Sequence, residues 1–284
     1  MNIKNFDPKG KSIQEIIRVA DTCFRGDKKE KIKAKLLYEF ALGKVPNSQD
    51  GDKPYILRGI IRKRIWDCDK KLYGNDNFFS EAGQDKIIKD KFFKEHKNGF
   101  FVEIGAFDGV EGSNCYYFEK YLEWEGIAIE ASPKQFEKLV KNRECQKMNV
   151  VIGSAENEVE FFEVVDGFTQ MSGINNANFK NSYDRIKKNS NSKINIINTK
   201  CVTFENIIPS NRIIDLISID IEGGEPEVIN TIDFNKYEIK VILVENNVPN
   251  KQSYIQFFKD RNFSYFERVG MDEIYYNNKF FNFK

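Results

Sequence analysis

Short apolar runs alternate with segments of helical periodicity from about residue 80 to the end of the chain. Runs rich in β-branched and aromatic residues, without polar alternation, suit strands that are buried on both faces. We predict such strands at 100–104, 126–129, 149–152, 216–220 and 240–244. A further strand is predicted at 158–165, and a closing hairpin at 263–268 and 273–277. Strands separated by helices predict an α/β fold with a doubly wound, mainly parallel sheet, whose site lies at the carboxyl ends of the strands.

Three amphipathic helices are predicted before residue 74. A capping box, Ser12 to Glu15, begins the first helix, Asp27 begins the second, and Pro54 occupies the first turn of the third. In the second helix we expect these residues to face inward: Ile32, Leu36, Leu37, Phe40 and Ala41. The third helix carries basic residues that suit an anionic partner, although we favour a solvated face: Arg58, Arg62, Lys63 and Arg64. We therefore divide the chain into a helical N-terminal appendage, 1–74, and a larger domain, 75–284.

Composition and charge exclude several classes of protein. The chain has 284 residues, of which 40% are hydrophobic and 31% charged, as in a soluble globular protein. A net charge of +1 gives no overall field that would attract nucleic acid or an anionic membrane, and we predict neither partner. The five cysteines are scattered without C-x-x-C spacing, which indicates free thiols in a reducing compartment. With no signal core or membrane-spanning run, we expect a cytoplasmic protein.

A glycine-containing loop follows the strand Phe100–Ile104. The spacing of Gly105, Gly109 and Gly112 is not the G-x-G-x-x-G of a dinucleotide site, and no phosphate-loop lysine follows. Asp108 inside the loop would repel phosphate but suits a cationic amine or sulfonium. Glu130 lies 21 positions after Gly109, close to the offset of about 20 residues for a ribose-binding acid. Ribose with a cationic tail describes S-adenosylmethionine; the alternative is an ordinary strand–loop–helix without a ligand.

Acidic residues recur where the predicted strands end. The carboxyl ends of parallel strands meet at one edge of a sheet, so we expect five carboxylates to converge there: Glu103, Asp108, Glu130, Asp220 and Glu245. Glu222 and Glu225 follow in the next turn. Acids near a helix N-terminus also complement its dipole, and we favour that structural interpretation for Glu225.

Together these motifs resemble the FkbM-type family of S-adenosylmethionine-dependent methyltransferases over roughly residues 80–278. The resemblance implies a class I methyltransferase fold, Rossmann-like, and usually O-methylation of sugars, surface glycans or natural products. Family members often have His after the acid of strand five, where this chain has Asn246. The residues that carry the resemblance are Gly83 to Asp85, Gly99 to Ala106, Asp108, Gly109, Ser113, Asn114, Trp124, Gly126, Glu130, Pro133, Asn142, Arg143, Ile214 to Asp220, Glu222, Gly223 and Glu225.

The only histidine, His96, precedes strand one and would lie at the wrong edge of the sheet for catalysis. A carboxylate must then remove the acceptor's proton, and the catalytic candidates are Asp220 first, with Glu222 and Glu245. The predicted cofactor-binding set is Glu103, Gly105, Ala106, Asp108, Gly109, Ser113, Asn114, Glu130, Ala131, Ser154 and Asp220. Oxygen ligands from Asp220 with Glu245 or Asn246 would suit Mg²⁺, but we do not predict a metal site.

The sequence thus predicts an O-methyltransferase that acts on a hydroxyl of a sugar, nucleotide-sugar or surface-glycan precursor, a small-molecule acceptor that includes phosphorylated forms. Two alternatives stay open. One is methyl transfer to a peptide, a lipid or a phosphorylated small molecule. The other is a non-catalytic glycan-binding scaffold of the same fold, which would not bind S-adenosylmethionine.

The segment 175–198 differs from the rest of the chain. It holds eight asparagines and five basic residues against one acid. Long connections in compact domains are often functional lids. Two interpretations of this segment have equal weight. In one it is a lid whose residues Arg185, Lys187 and Lys188 contact a phosphorylated acceptor; in the other it is a solvated insertion without a role.

Overall fold

The structure is a computed structural model and describes residues 6–47, 54–74, 77–174, 183–184, 186–187, 192–208, 212–249 and 253–283. The helices are α1 Ile13–Phe24, α2 Lys28–Lys44, α3 Pro54–Tyr73, α4 Gln84–Ile88, α5 Tyr116–Leu122, α6 Pro133–Asn142, α7 Glu225–Thr231 and α8 Ile255–Lys259. The strands are β1 Phe100–Ile104, β2 Glu125–Ile129, β3 Gln146–Met148, β4 Val151–Ile152, β5 Asn157–Asp166, β6 Gly173–Ile174, β7 Lys193–Val202, β8 Ile213–Ile219, β9 Glu238–Glu245, β10 Phe263–Val269 and β11 Asp272–Asn277.

A seven-stranded sheet forms the centre, in the order β10-β11-β9-β8-β1-β2-β3. Five neighbouring strands of this sheet are parallel to one another: β9, β8, β1, β2 and β3. Strand β11 pairs antiparallel with both β9 and β10. Alternate residues of β1 enter different hydrophobic clusters, Val102 in one and Phe101 in the other, so the core lies on both faces of the sheet. Chain order reverses between β1 and β8, and a ligand site is expected at this switch point. The predicted fold class, mixed α/β with a mainly parallel sheet, is confirmed.

A second sheet, of four strands, has the order β4-β7-β5-β6. It corrects the prediction of a third parallel strand at 149–152. The third strand of the central sheet is β3, which ends at Met148, whereas Val151 and Ile152 pair with Cys201 and Val202 of β7. An apolar run does not show which of two sheets it joins. The extra strand predicted at 158–165 is present as β5.

Helices α1–α3 share a hydrophobic cluster of their own. The predicted N-termini of α1 and α2 are confirmed, because Ser12 and Asp27 each form a capping box with the glutamate three residues later. The predicted inward face of α2 is partly wrong. Leu37 and Ala41 are buried together with Ala34, Tyr38 and Leu42, whereas the exposed positions are Ile32, Leu36 and Phe40. The buried stripe is shifted around the helix because α2 contacts both α1 and α3.

Helix α3 also packs against β10 of the central sheet. Arg58 and Arg62 each donate to the buried carboxylate of Glu267 at 2.7 Å. The solvated face predicted for the basic residues of α3 is therefore wrong at these two positions. The division into an appendage, 1–74, and a domain, 75–284, remains our proposal.

Most of the predicted lid, 175–198, lies outside the described residues, including Arg185 and Lys188. Residues 193–198 are not an irregular connection but the first part of β7, paired with β5. Ile186 is buried against β5, and Tyr183 stacks on Phe162 with ring centroids 5.3 Å apart. Of the helices in the described ranges, none combines the length and apolar composition that crossing a bilayer requires.

Candidate active site

The loop after β1 passes directly against the end of β8. Gly105 has a φ of +89°, and a Cβ at this position would lie 1.8 Å from the carbonyl oxygen of Asp220. The N–H groups of Gly105 and Ala106 both donate to the carbonyl of Ile129 at 2.9 Å. Only glycine permits this approach and this backbone angle. The loop thereby brings the ends of β1, β2 and β8 together.

Glu103, at the end of β1, has its carboxylate occupied by the protein itself. One oxygen accepts from the Ser113 hydroxyl at 2.7 Å and from the N–H of Asn114 at 3.0 Å. The other accepts from the buried guanidinium of Arg143 at 2.8 Å. Arg143 also donates to the carbonyl of Gly109 and to the carboxylate of Glu119. Arg143, for which we predicted no role in the site, therefore holds the glycine loop through Glu103 and Gly109.

Glu130 follows β2 and faces the same loop. Its two oxygens accept from the N–H groups of Phe107 at 2.8 Å and Ser132 at 2.7 Å. Phe107 has a φ of +49°, a left-handed conformation that turns its N–H towards Glu130. Burial raises the pKa of Glu130 to about 7, although these backbone hydrogen bonds oppose the shift. Each oxygen still has a lone pair for a further donor.

Carboxylates also meet at the ends of β8 and β9 and the start of β11. Asp220 is solvent-accessible because it lines a cavity, although protein atoms bury its carboxyl group on the other sides. This burial, and next the negative charge of Asp272, raise the pKa of Asp220 well above its usual range. Burial and the charge of Asp220 do the same to the pKa of Glu245, and burial raises the pKa of Asp272 to about 7. The carboxyl groups of this site therefore keep their protons to a higher pH than exposed carboxyl groups do.

A cavity of about 400 Å³, here called the strand-edge cavity, lies over these groups. Its walls include most of the predicted site residues: Glu103, Gly105, Ala106, Ser113, Asn114, Glu130, Ala131, Asp220, Glu222 and Glu245. Three predicted residues do not line it. Asp108 accepts from the N–H groups of Val110 and Glu111 within its own loop, Gly109 packs against Leu139 and Arg143, and Ser154 donates to Glu227.

The second sheet supplies a wall of the strand-edge cavity that sequence reasoning missed. Its residues there are Phe161, Thr169, Gln170, Ser172, Gly173 and Ile174. They belong to β5, β6 and the turn between them. The only sequence signal was the extra strand at 158–165, which indicates neither the direction in which the sheet folds nor the face that it covers.

Two buried acceptor atoms at the cavity are without a hydrogen-bond partner among the described residues, Oδ1 of Asn114 and Oε2 of Glu245. The amide nitrogen of Asn114 donates to Ser218, which fixes the direction of its oxygen. Buried orphan acceptors call for donors on a ligand. Ribose hydroxyls and an ammonium are such donors, and a sulfonium suits the surrounding acids, so these residues fit S-adenosylmethionine. In the described part of the chain, no three His, Cys, Asp or Glu side chains are arranged to hold a metal ion.

The family described as Methyltransferase FkbM domain matches residues 103–265, more than half of the chain. The chain belongs to the FkbM methyltransferase family. The match begins at Glu103 and includes Glu130, Asp220 and Glu245, while helices α1–α3 lie outside it. The family of this chain therefore indicates methyl transfer as its class of activity.

Solved structures similar to this FkbM-family chain include two methyltransferases. One is precorrin-6y C5,15-methyltransferase from Geobacter metallireducens GS-15, at 10% identity and a TM-score of 0.36, covering 71% of this chain and 89% of that chain. The other is methyltransferase FkbM from Methylobacillus flagellatus KT, at 10% identity and a TM-score of 0.41, covering 92% of this chain and 62% of that chain. Comparison with curated protein sequences finds no match.

Proposed function

We propose that this FkbM-family protein is an S-adenosylmethionine-dependent O-methyltransferase that acts on a hydroxyl of a sugar, nucleotide-sugar or surface-glycan precursor. The observation that carries the proposal is the meeting of Glu130 and Asp220 in one strand-edge cavity. Glu130 suits a ribose, and Asp220 suits an acceptor hydroxyl. A site that only bound a glycan would not need both groups beside the glycine loop.

The cofactor-binding half of the site consists of the glycine loop and Glu130. Gly105 and Ala106 line the cavity, and their backbone would form the wall beside the cofactor. Glu130, fixed by the N–H groups of Phe107 and Ser132, offers its remaining lone pairs to the two ribose hydroxyls. When bound, S-adenosylmethionine supplies a methyl group on a positively charged sulfur.

Asp220 is the proposed base for the acceptor hydroxyl. A general base works best when its pKa lies near the working pH, and the raised pKa of Asp220 moves it in that direction. His96 cannot replace it, because its imidazole lies 3.5 Å from Asp215, which in turn accepts from the N–H of Phe100 at the opposite end of β1. Asp220 thus orients the hydroxyl, takes its proton and leaves an oxygen nucleophile. Glu222 and Glu245 are the next candidates.

Calorimetric titration with S-adenosylmethionine tests the cofactor first. Glu130→Ala removes two charge-assisted hydrogen bonds worth about 1.5–3 kcal/mol each, so affinity should fall at least about tenfold. Glu137→Ala, at an exposed position of α6, is the matched control and should bind like the native protein. Unchanged affinity in a folded Glu130→Ala protein would remove Glu130 from the site.

Incubation with methyl-labelled cofactor tests the acceptor class. Neutral sugars, nucleotide-sugars and glycan fragments are compared with peptides and lipids. We expect the labelled methyl group to appear in the sugar-containing compounds. It should be bound there as a methyl ether, which resists the alkaline hydrolysis that cleaves methyl esters. Label only in peptides or lipids would favour the alternative transferase, and a native protein that fails to bind S-adenosylmethionine would be a scaffold.

A further inference from the structure

A second cavity, of about 560 Å³, lies between helices α1–α3 and the carboxyl edge of the central sheet. It is here called the helix-side cavity. Asn114, Asp220 and Glu245 line both this cavity and the strand-edge cavity, so the two meet at the proposed base. Its volume is within the range of small-molecule sites. A compound in the helix-side cavity would therefore reach Asp220 from the side opposite the cofactor loop.

The helical wall of this cavity is fixed to the sheet. The N–H of Gly270 donates to the carbonyl of Gly59 at 3.1 Å, and a Cβ on Gly59 would lie 2.4 Å from the Gly270 oxygen. The ion pairs of Arg58 and Arg62 with buried Glu267 hold α3 against β10. Close backbone contact and buried charge pairs need a defined geometry. The helices thus form a permanent wall of the cavity.

The two walls of the helix-side cavity differ in charge. The sheet side carries the acids Glu81, Asp220, Glu245 and Asp272. The helical side carries three cations, Arg25, Lys63 and Arg64, against two acids, Asp21 and Asp67. Lys63 pairs with Asp67 at 2.7 Å, and Arg64 pairs with Asp21. Among the described residues, the exposed side chain of Arg25 forms no hydrogen bond or ion pair, so the helical wall has one cation in excess.

We propose that helices α1–α3 form the acceptor site and that Arg25, with Lys63 and Arg64 beside it, binds an anionic group on a hydroxyl-bearing acceptor. An acceptor in the reverse orientation would place its anion against four acids, which like-charge repulsion disfavours. In the favoured orientation, the anion lies on the helical wall and a hydroxyl lies at Asp220. The orphan oxygen of Glu245 accepts a hydrogen bond from the same compound or from a neighbouring hydroxyl. Phosphate and carboxylate share the required chemistry.

This inference rests on the proposed function, and the experiment separates the two. The full-length protein is saturated with S-adenosylmethionine, and binding is confirmed by calorimetry. Methyl transfer is then measured with hexose phosphates and UDP-hexoses, with hexuronic acids, and with neutral hexoses; binding of each probe is measured with S-adenosylhomocysteine present. We expect methyl transfer to, or binding of, the phosphate compounds or the hexuronic acids, and little of either with neutral hexoses. The phosphate and carboxylate arms distinguish the two anions.

Arg25→Gln is the decisive variant, because Arg25 is exposed and its loss should not affect folding. It should raise the KM for the anionic acceptor about tenfold at low salt and less at high salt. The affinity for S-adenosylmethionine should not change, and Arg25→Lys should restore much of the loss. The matched controls are Arg18→Gln on α1 and Lys71→Gln on α3, both exposed cations that do not line the cavity.

Several results would overturn the inference while leaving the proposed function intact. They are an unchanged KM for the anionic acceptor in Arg25→Gln, an equal rise of that KM in the two control variants, and a preference for neutral hexoses over the anionic compounds. A protein that binds S-adenosylhomocysteine but neither methylates nor binds any anionic probe also overturns it. Lys63→Gln and Arg64→Gln break ion pairs, so they are compared only after thermal unfolding shows that each is folded. Failure to bind S-adenosylmethionine would instead overturn the proposed function.

Discussion

At the scale of single residues, Glu130 combines two properties. It is a buried carboxyl whose pKa is raised to about 7, and it is fixed by backbone donors at both oxygens. The folded protein holds this proton more tightly than the unfolded chain. Glu130 therefore makes the free protein less stable as pH rises from about 4.5 towards 7. The ribose binding that we propose would have the opposite preference, because hydroxyl donors form stronger hydrogen bonds with the ionised form.

We therefore expect cofactor affinity to fall as the pH is lowered through 7. If only the ionised form of Glu130 binds, affinity for S-adenosylmethionine should weaken about tenfold between pH 8 and pH 6. Calorimetry at pH 6, 7 and 8 measures this slope. Glu130→Gln does not titrate and should bind weakly with a flatter profile. An equal slope in that variant would assign the titration to the carboxyls around Asp220.

Asp220 differs from Glu130 because, within the described ranges, no backbone N–H donates to its carboxylate, and other acids surround it. Asp220→Asn keeps the shape but cannot take a proton, so turnover should fall on the order of 100-fold, the usual contribution of a general base. Cofactor affinity should change much less. Steady-state kinetics with a methylated acceptor, beside calorimetry, measures both. Near-normal turnover in the folded variant would transfer the role to Glu222 or Glu245, which the matching glutamine variants would identify.

At the scale of elements, Arg143 joins the end of α6 to the loop between β1 and α5. Its guanidinium is fully buried and pairs with Glu103 and Glu119. Burial alone would raise the pKa of Glu119, but Arg143 beside it holds that pKa below its ordinary value. The three charges therefore depend on one another, and the glycine loop depends on all three.

Removing Arg143 should leave two carboxylates without their cation in the interior. Arg143→Met should lower the free energy of unfolding by about 3–5 kcal/mol, the usual cost of breaking a buried ion pair. Arg212→Met breaks an exposed pair with Glu125 and should cost less than about 1 kcal/mol. Urea unfolding of the two variants measures the difference. Similar losses in both would mean that Arg143 does not organise the loop.

At the scale of the whole molecule, the contact between α3 and the turn from β10 to β11 joins the helical unit to the sheet. Residues 59 and 270 are far apart in sequence, yet their backbones are hydrogen-bonded. Asn47 adds a hydrogen bond to the carbonyl of Phe266 at 2.8 Å, and Tyr55 packs edge-on against Tyr265. The orientation of the helical unit is therefore determined by β10 and its turn.

Substitution of Gly59 should show that this contact is tight. An added methyl group at Gly59 meets the Gly270 carbonyl, and overpacking of this kind costs roughly 1–3 kcal/mol. Gly43→Ala, also in a helix but with nothing within 4 Å of the new Cβ, should instead stabilise by about 0.5–1 kcal/mol. Thermal unfolding should move the melting temperature of the two variants in opposite directions. A stabilised Gly59→Ala protein would contradict the observed packing.

Local sequence patterns were sufficient for the elements and for much of the site. The capping boxes at Ser12 and Asp27 and strand β1 appear where periodicity and end signals place them. The site residues at the ends of β1, β2, β8 and β9 also follow from the sequence. In a doubly wound sheet the chain's own order brings these ends to one edge.

The tertiary structure alone decided three things that periodicity does not contain. It assigned Val151 and Ile152 to a second sheet, it folded that sheet over the strand-edge cavity, and it placed Lys63 and Arg64 opposite Asp220. The periodicity of a short segment indicates only that one of its faces is buried. It does not indicate which strand or helix packs against that face. Which elements meet across long stretches of chain is set by packing of the complete molecule. The sequence therefore determined which residues meet at the carboxyl edge of the central sheet, and the fold determined what lies opposite them.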